Sequence, residues 1–326
     1  MKKLTKILAI VLSAALIGVM FAGCSGAADD GKYTVGILQQ MQHAALDRAT
    51  QGFKDALTEK LGAENVEFND QNANNDVPTC ATIAGQFVSN KVDLIFANGT
   101  SALEASVAAT GEIPIVGTSI TNYATALHVD ESEWNGASGI NVTGTSDLAP
   151  LEEQANMFKE LLPDVKTVGI LYCSAEANSK YQADMITPYL EDLGIEVKVY
   201  TAADSNDIAS VTTTACSEVE ALYIPTDNTM ASNTGIVSNI AEPAGIPIIA
   251  GEEGICSGCG IATLSIDYYD IGYQAGEMAV KILSENADPA TMNIEFAASV
   301  EKKYDAQRCE ALGITIPDGY TAIEAA

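Results

Sequence analysis

The sequence predicts an α/β protein made of two like halves, each a parallel sheet with helices on its faces, and three repeated stretches predict it. Thr34-Val35-Gly36-Ile37-Leu38 returns as Thr167-Val168-Gly169-Ile170-Leu171. Lys91 to Thr100, an apolar run ending in a polar turn, has its counterpart in Glu218 to Asp227, and Gly111 to Thr118 is matched by Ala244 to Gly251. Counted at Thr34, Val92 and Ile113, the copies lie 133, 127 and 133 residues apart, so the register slips inside the unit and then recovers. A repeat of that length exceeds the roughly 20 to 50 residues of solenoid units and describes two domains of one architecture. Short apolar, partly β-branched runs bounded by turn-formers are strands buried on both faces, as parallel sheets require.

The first residues stand apart from this pattern. Lys2, Lys3 and Lys6 precede the apolar stretch Ile7 to Phe21, which reads as a secretion signal. Ala22-Gly23-Cys24 has the form of a bacterial lipoprotein processing site, with Cys24 acylated as the first mature residue. A plain signal peptide or an N-terminal anchor helix are the alternatives. Ser25 to Gly31, small and polar, is a flexible tether.

Within the first half, Tyr33 to Leu38 is a strand and Gln39 to His43 a loop. Leu46, Ala49, Phe53, Leu57 and Leu61 then recur at helical spacing, with Gly62 just past the end. Val66 to Phe68 is a short strand. Asp76 can cap the next helix, Pro78 fits its first turn, and Ile83, Phe87 and Val88 form its inner face. Strand 91–97, a helix opening at Ser101 and strand 113–117 complete a β-α alternation that implies right-handed crossovers. From Thr118 to Asn141 the period is lost.

The second half opens with a helix from Pro150 to Leu162 and repeats the strand. A helix from Asn178 or Ser179 to Gly194 contains Pro188, which should kink or interrupt it. Ile195 to Tyr200, a helix from Asn206, strand 219–224, a helix after Asn228 and strand 246–250 finish the second sheet. Ile261 to Ile266, a helix from Asp270 to Leu283 and short strands at Ile294 to Ala297 and Ile314 to Ile316 let the chain cross back and return.

Charge excludes some partners. The chain has 44 acidic against 16 basic residues, a formal net of −28, and three of those lysines lie in the signal. Such a surface repels nucleic acid and anionic membrane. No apolar run after the N-terminus approaches the roughly 18 residues of a membrane span. Of seven cysteines only Cys256 and Cys259 have metal or redox spacing. A closed zinc site needs two more ligands that the neighbourhood lacks, leaving a surface disulfide or two inert thiols.

In open α/β sheets the ligand lies beyond the carboxyl ends of the strands. Those loops hold Gln40, Thr100, Ser101 and Ser119 in the first half, and Glu176, Asn178, Ser179, Thr226, Asp227, Asn228 and Glu252 in the second. Asp147 and Asp267 mark the expected crossings between halves. Hydroxyls, amides and carboxylates with few bases suit a zwitterion. Free N–H groups at a helix start, helped by Thr100, Ser101 or Ser179, could hold its carboxylate, and Asp147, Glu176, Asp227 or Glu252 its ammonium. Ser101, Asn178, Ser179 and Asn228 could equally be helix caps. His43 could touch the ligand or cap its own helix. No nucleotide, nucleophile-elbow or zinc-protease motif occurs, so neither catalytic residues nor a metal or other cofactor are expected.

Several motifs together resemble a known family. They are Val35 to Gln39 with His43 to Asp47, Asn141 to Leu148, Ser174 to Ser179, Tyr223 to Thr229, and Ile266 to Tyr269. The chain resembles the substrate-binding lipoproteins of ABC transporters of the tryptophan/tyrosine type, which have the type I periplasmic binding protein fold. The resemblance implies two Rossmann-like lobes joined by a three-stranded hinge and closing over one small solute, with an ABC permease as membrane partner and the lipid anchor as the only membrane contact. The expected divisions are a signal peptide at 1–24, a tether at 25–31, a first lobe of 32–142 plus 268–298, and a second of 143–267 plus 299–326. An amino acid, several relatives taking aromatic ones, is the expected ligand. A sugar or nucleoside receptor, or a sensor of the same fold signalling to a membrane partner, are the alternatives. A hydrolase using Glu252 and Glu253 is disfavoured, because adjacent residues in one loop seldom address the same bond.

Overall fold

The computed structural model describes residues 31–323; the signal, Cys24 and all but the last residue of the tether lie outside them. The element order is β1 (Tyr33–Gln39), α1 (Ala44–Leu61), β2 (Val66–Asn72), α2 (Val77–Asn90), β3 (Leu94–Asn98), α3 (Thr100–Ala109), β4 (Ile115–Ile120), α4 (Tyr123–Ala126) and β5 (Val142–Ser146). The second run is α5 (Leu151–Leu161), β6 (Thr167–Cys173), α6 (Ala177–Asp192), β7 (Glu196–Ala202), α7 (Ile208–Glu218), β8 (Ala221–Ile224), α8 (Asn228–Ala231), α9 (Thr234–Ala244), β9 (Ile248–Ala250), α10 (Glu253–Cys259) and β10 (Ala262–Ser265). Then follow α11 (Tyr268–Glu285), β11 (Glu295–Phe296), β12 (Glu301–Tyr304), α12 (Ala306–Leu312) and β13 (Thr321–Ala322).

These strands form two sheets whose cores repeat one topology. The first has the order β11-β5-β4-β3-β1-β2 and the second β13-β12-β10-β9-β8-β6-β7. Five consecutive strands of each therefore match, and the pairing is parallel except between β10 and β12. Strands such as Leu94–Asn98 and Ile248–Ala250 are buried throughout, because helices cover both faces.

The chain changes sheet three times. It leaves the first sheet after Ser146, and α5 packs Leu151, Ala155 and Phe158 into the second core. It returns with α11, whose Ala275, Ala279 and Ile282 join Val35, Phe53 and Phe96. The last passage runs from Phe296 to Glu301. Helices α1 and α11 touch at their backbones: a Cβ on Gly272 would come within 2.0 Å of the Ala49 carbonyl oxygen.

Three expectations need correction. The second lobe is expected to begin at 143, yet β5 pairs with β4 in the first sheet; its buried Thr143 and Thr145 hydroxyls bond the Met292 and Ile271 carbonyls, so a polar run is an interior strand. Pro188 does not interrupt α6, which runs on to Asp192. Pro188 and Asp184, whose carbonyl it deprives of a partner, both lie on the exposed face, and the Thr187 hydroxyl bonds the Ala183 carbonyl one residue earlier. Ile314 to Ile316 is not a strand but packs irregularly against the second core, while the highly charged Glu301–Tyr304 is one. Beyond these three, Gly251 to Glu253 leads into the short helix α10.

Candidate functional site

The two halves meet at the carboxyl ends of their strands, where His43, Leu46, Ser119, Asp147, Asn178, Thr226, Asp227, Asn228, Ala231, Glu252 and Tyr268 line one cavity. The space between these side chains is narrow. The narrowness reflects closure. Asn75 Nδ2 donates to Thr229 Oγ1 at 3.0 Å, His43 Nε2 meets Asn228 Oδ1 at 3.0 Å, and Gln182 Nε2 reaches Thr121 Oγ1 at 3.3 Å, all from one half to the other.

Three carboxylates border the cavity, and their partners separate their roles. Asp227 accepts from the backbone N–H of Met230 (2.8 Å) and of Cys173 (2.7 Å) and from Ser179 Oγ (2.8 Å). It is the N-cap of α8, tied to β6 and α6. Glu252 likewise caps α10 through Gly254 and Ile255, each N–H at 2.5 Å. Asp147 has hydroxyl partners: Thr121 Oγ1 at 3.0 Å and Tyr268 Oη at 2.9 Å. No lysine or arginine lines the cavity. Burial pushes all three carboxyls up, Asp227 well up, with the Glu176 charge adding to its rise and the His43 ring opposing it at Asp147 and Glu252.

Ser119, on the same cavity wall, is unsatisfied. It is buried, its Oγ has no hydrogen-bond partner, and its φ of +55° is unusual for a residue other than glycine. A residue in this sparsely populated conformation with an orphaned hydroxyl thus stands on the cavity wall.

Of the thirteen residues expected from sequence, Ser119, Asp147, Asn178, Thr226, Asp227, Asn228 and Glu252 line the cavity. Glu176 and Ser179 stand behind them as braces. The Glu176 carboxylate accepts from the N–H groups of Asn228 (3.0 Å) and Thr229 (2.7 Å), from Asn228 Nδ2 (2.8 Å) and from Thr229 Oγ1 (2.6 Å). Gln40, Thr100 and Ser101 lie off the cavity, and the reason is a cap: Gln40 Oε1 accepts from the Ser101 N–H at 3.0 Å and takes the helix start expected to hold a carboxylate. Asp267 also lies off it, capping α11 and pairing with Arg48 at 3.1 Å. Sequence reasoning missed Leu46, Tyr268, Thr121 and Gln182. Gln182 had a signal, since it stands one helical turn beyond Asn178. Cys256 and Cys259 are buried, unbridged thiols within α10, and burial pushes Cys259 up to about 12.

Two α/β halves gripping a polar cavity with an unneutralised carboxylate define a solute receptor. Comparison with known proteins gives the family. Residues 34–324 match that of the ABC transporter substrate binding proteins, and the chain belongs to it. The chain is 37% identical over 297 residues to the tyrosine-binding protein of Clostridioides difficile, covering 87% of this chain and 85% of that one. Among solved structures, an ABC domain from Streptococcus pneumonia in complex with L-Trp superposes with a TM-score of 0.85 at 32% identity, over 90% of this chain and all of the other. A ligand-free, open substrate-binding protein with adhesive properties from Clostridium difficile covers the same shares at 34% identity but with a TM-score of 0.70. Equal coverage and slightly higher identity with a poorer superposition on the open protein agree with the closed arrangement seen here. The fold is that of type I periplasmic binding proteins, as the resemblance implied.

Proposed function

We propose that this chain is the lipid-anchored receptor of an ABC importer and binds an aromatic amino acid in the cavity between its halves. The carrying observation is Asp147: a buried carboxylate whose side-chain partners are the Thr121 and Tyr268 hydroxyls, on a cavity wall without lysine or arginine, which an ammonium group would neutralise. Ser119 Oγ supplies a free donor for the solute's carboxylate, and Leu46, Ala231 and the Tyr268 ring supply apolar wall. Relatives named for tyrosine and bound to L-Trp support the aromatic side chain. Membership of a substrate-binding family supports a receptor that releases its solute unchanged. The two halves act as lobes, residues 33–146 with 268–296 and 147–267 with 301–323, opening to admit the solute and closing to present it to a permease.

Calorimetric titration tests the ligand. L-tyrosine and L-tryptophan should bind, whereas tyramine and N-acetyl-L-tyrosine, each lacking one charged group, should bind at least about 100-fold more weakly, since each leaves a buried charge or donor unpaired. Equal binding of the N-acetylated analogue contradicts the role of Asp147. Anchoring has its own test: Cys24→Ser should move the protein from the membrane fraction to the medium.

A further inference from the structure

Gln182, on α6, is buried and outside the cavity wall, yet its amide touches the groups that matter on both sides of the cleft. Its Oε1 accepts from the Thr226 N–H at 3.1 Å, and its Nε2 donates to Thr226 Oγ1 at 2.6 Å. Nε2 also lies 3.2 Å from the Asn178 carbonyl and 3.3 Å from Thr121 Oγ1. The orientation of this amide follows from chemistry: a backbone N–H can only donate, so the atom facing it is the oxygen and the atom facing Thr226 Oγ1 is the NH₂. Thr226 Oγ1 therefore accepts from Gln182, and its own proton must point elsewhere. Thr121 spends its proton on Asp147 Oδ1, which can only accept. Among the described residues that leaves the Thr226 proton one contact, Thr121 Oγ1 at 3.4 Å, while Thr226 also borders the cavity.

We infer that Gln182 is a positioning residue for the ligand: it fixes the Thr226 hydroxyl as a donor into the cavity and, through Thr121, ties that donor to the Asp147 site when the halves close. The inference rests on the proposed zwitterion reading. It assigns the second donor for the solute's carboxylate, beside Ser119, in a cavity that has no lysine or arginine to offer. A glutamate at 182 would reverse the polarity. Ionised, it accepts from both the N–H and the hydroxyl of Thr226 and takes the proton from the ligand; protonated, it donates as the amide does. The titratable groups linked to it are Asp147, which Thr121 bonds, Glu176, which Asn178 bonds, Asp227, next to Thr226 in the chain, and Lys180, Tyr181 and Asp184 on its own helix.

The experiment is calorimetric titration of L-tyrosine into the full chain and into Gln182→Glu, Gln182→Leu, Thr226→Val and the Gln182→Glu/Thr226→Val double variant, from pH 5 to pH 8, each shown to be folded by its melting curve. The Kd of Gln182→Glu relative to wild type should stay within a few-fold at pH 5 and rise to about tenfold or more at pH 8, the scale of one lost charge-assisted hydrogen bond. Gln182→Leu and Thr226→Val should each weaken binding about tenfold at every pH. The double variant should bind no more weakly than Thr226→Val and show no added pH dependence. Wild-type affinity in Gln182→Glu at pH 8, a ratio flat with pH, or a double variant that keeps the pH dependence overturns the inference while leaving the ligand reading intact. Failure of the wild type to bind any aromatic amino acid overturns the ligand reading, and this inference with it.

Discussion

His43 and Glu176 occupy the same place in the two copies of the repeat, each 133 residues from the other and each just before its helix, α1 or α6. Both end on Asn228, from opposite sides of the cleft. Glu176 holds Asn228 by its backbone and side-chain nitrogen, within the second half. Because the Asn228 NH₂ faces a carboxylate, its oxygen faces His43, and His43 Nε2 must carry the proton of that contact. Duplication thus supplied two equivalent positions, and divergence made one an internal brace and the other a latch. The neighbouring loops differ in the same sense. The start of α3 is plugged by the Gln40 amide, and that of α8 by Asp227 and Glu176, so neither helix end is free for a ligand, but only the second faces the cavity.

The comparison breaks first at Glu176. Glu176→Ala strips two backbone N–H groups, an amide and a hydroxyl of their acceptor, and should cost about 3 kcal/mol or more in urea unfolding. A loss below about 1 kcal/mol would deny the brace.

Asp147→Asn should separate binding from stability. Ligand affinity should fall about 100-fold, the scale of an unpaired buried ammonium, while the unliganded protein keeps or gains stability by losing a buried charge. Burial raises the folded-state pKa of Asp147 above its unfolded value, so its ionisation costs stability as pH rises through the folded value and costs nothing below the unfolded value near 4. The stability advantage of Asp147→Asn should therefore be largest near pH 8 and shrink as pH falls. An advantage that grew on acidification would reverse the sign and reject a strained carboxylate.

The latch should be the smallest effect. His43→Phe removes one hydrogen bond between halves and nothing from either core, so melting should change by about 2 °C or less while affinity drops roughly fivefold and scattering shows a larger open population. Melting well below that would make His43 a brace like Glu176.

Much of this architecture was legible because its signals are local. Thr34 to Leu38 and Thr167 to Leu171 are buried strands by composition alone, and their recurrence fixes the duplication. Glu301–Tyr304 escaped notice because a partly exposed strand beside Thr321–Ala322 needs no apolar alternation. The sequence Glu253 to Cys259, with two glycines, reads poorly as a helix. Tertiary contacts hold it: Glu252 caps its start, and the Arg308 guanidinium donates to the Ser257 and Gly258 carbonyls at its end, both at 2.9 Å. In the site, sequence named loops that border the cavity but could not divide caps from cavity walls. Ser179, Glu176 and Gln40 have the chemistry of ligand contacts, and what turns them inward is a long-range partner, Asp227, Asn228 or Ser101, that no local pattern reveals.

A crystal structure with L-tyrosine tests the central claim most directly. The ligand's nitrogen should lie within hydrogen-bond distance of the Asp147 carboxylate, with Ser119 Oγ reaching its carboxylate and His43 still on Asn228. Tyrosine seated elsewhere, or in the cavity with its ammonium away from Asp147, would contradict the account.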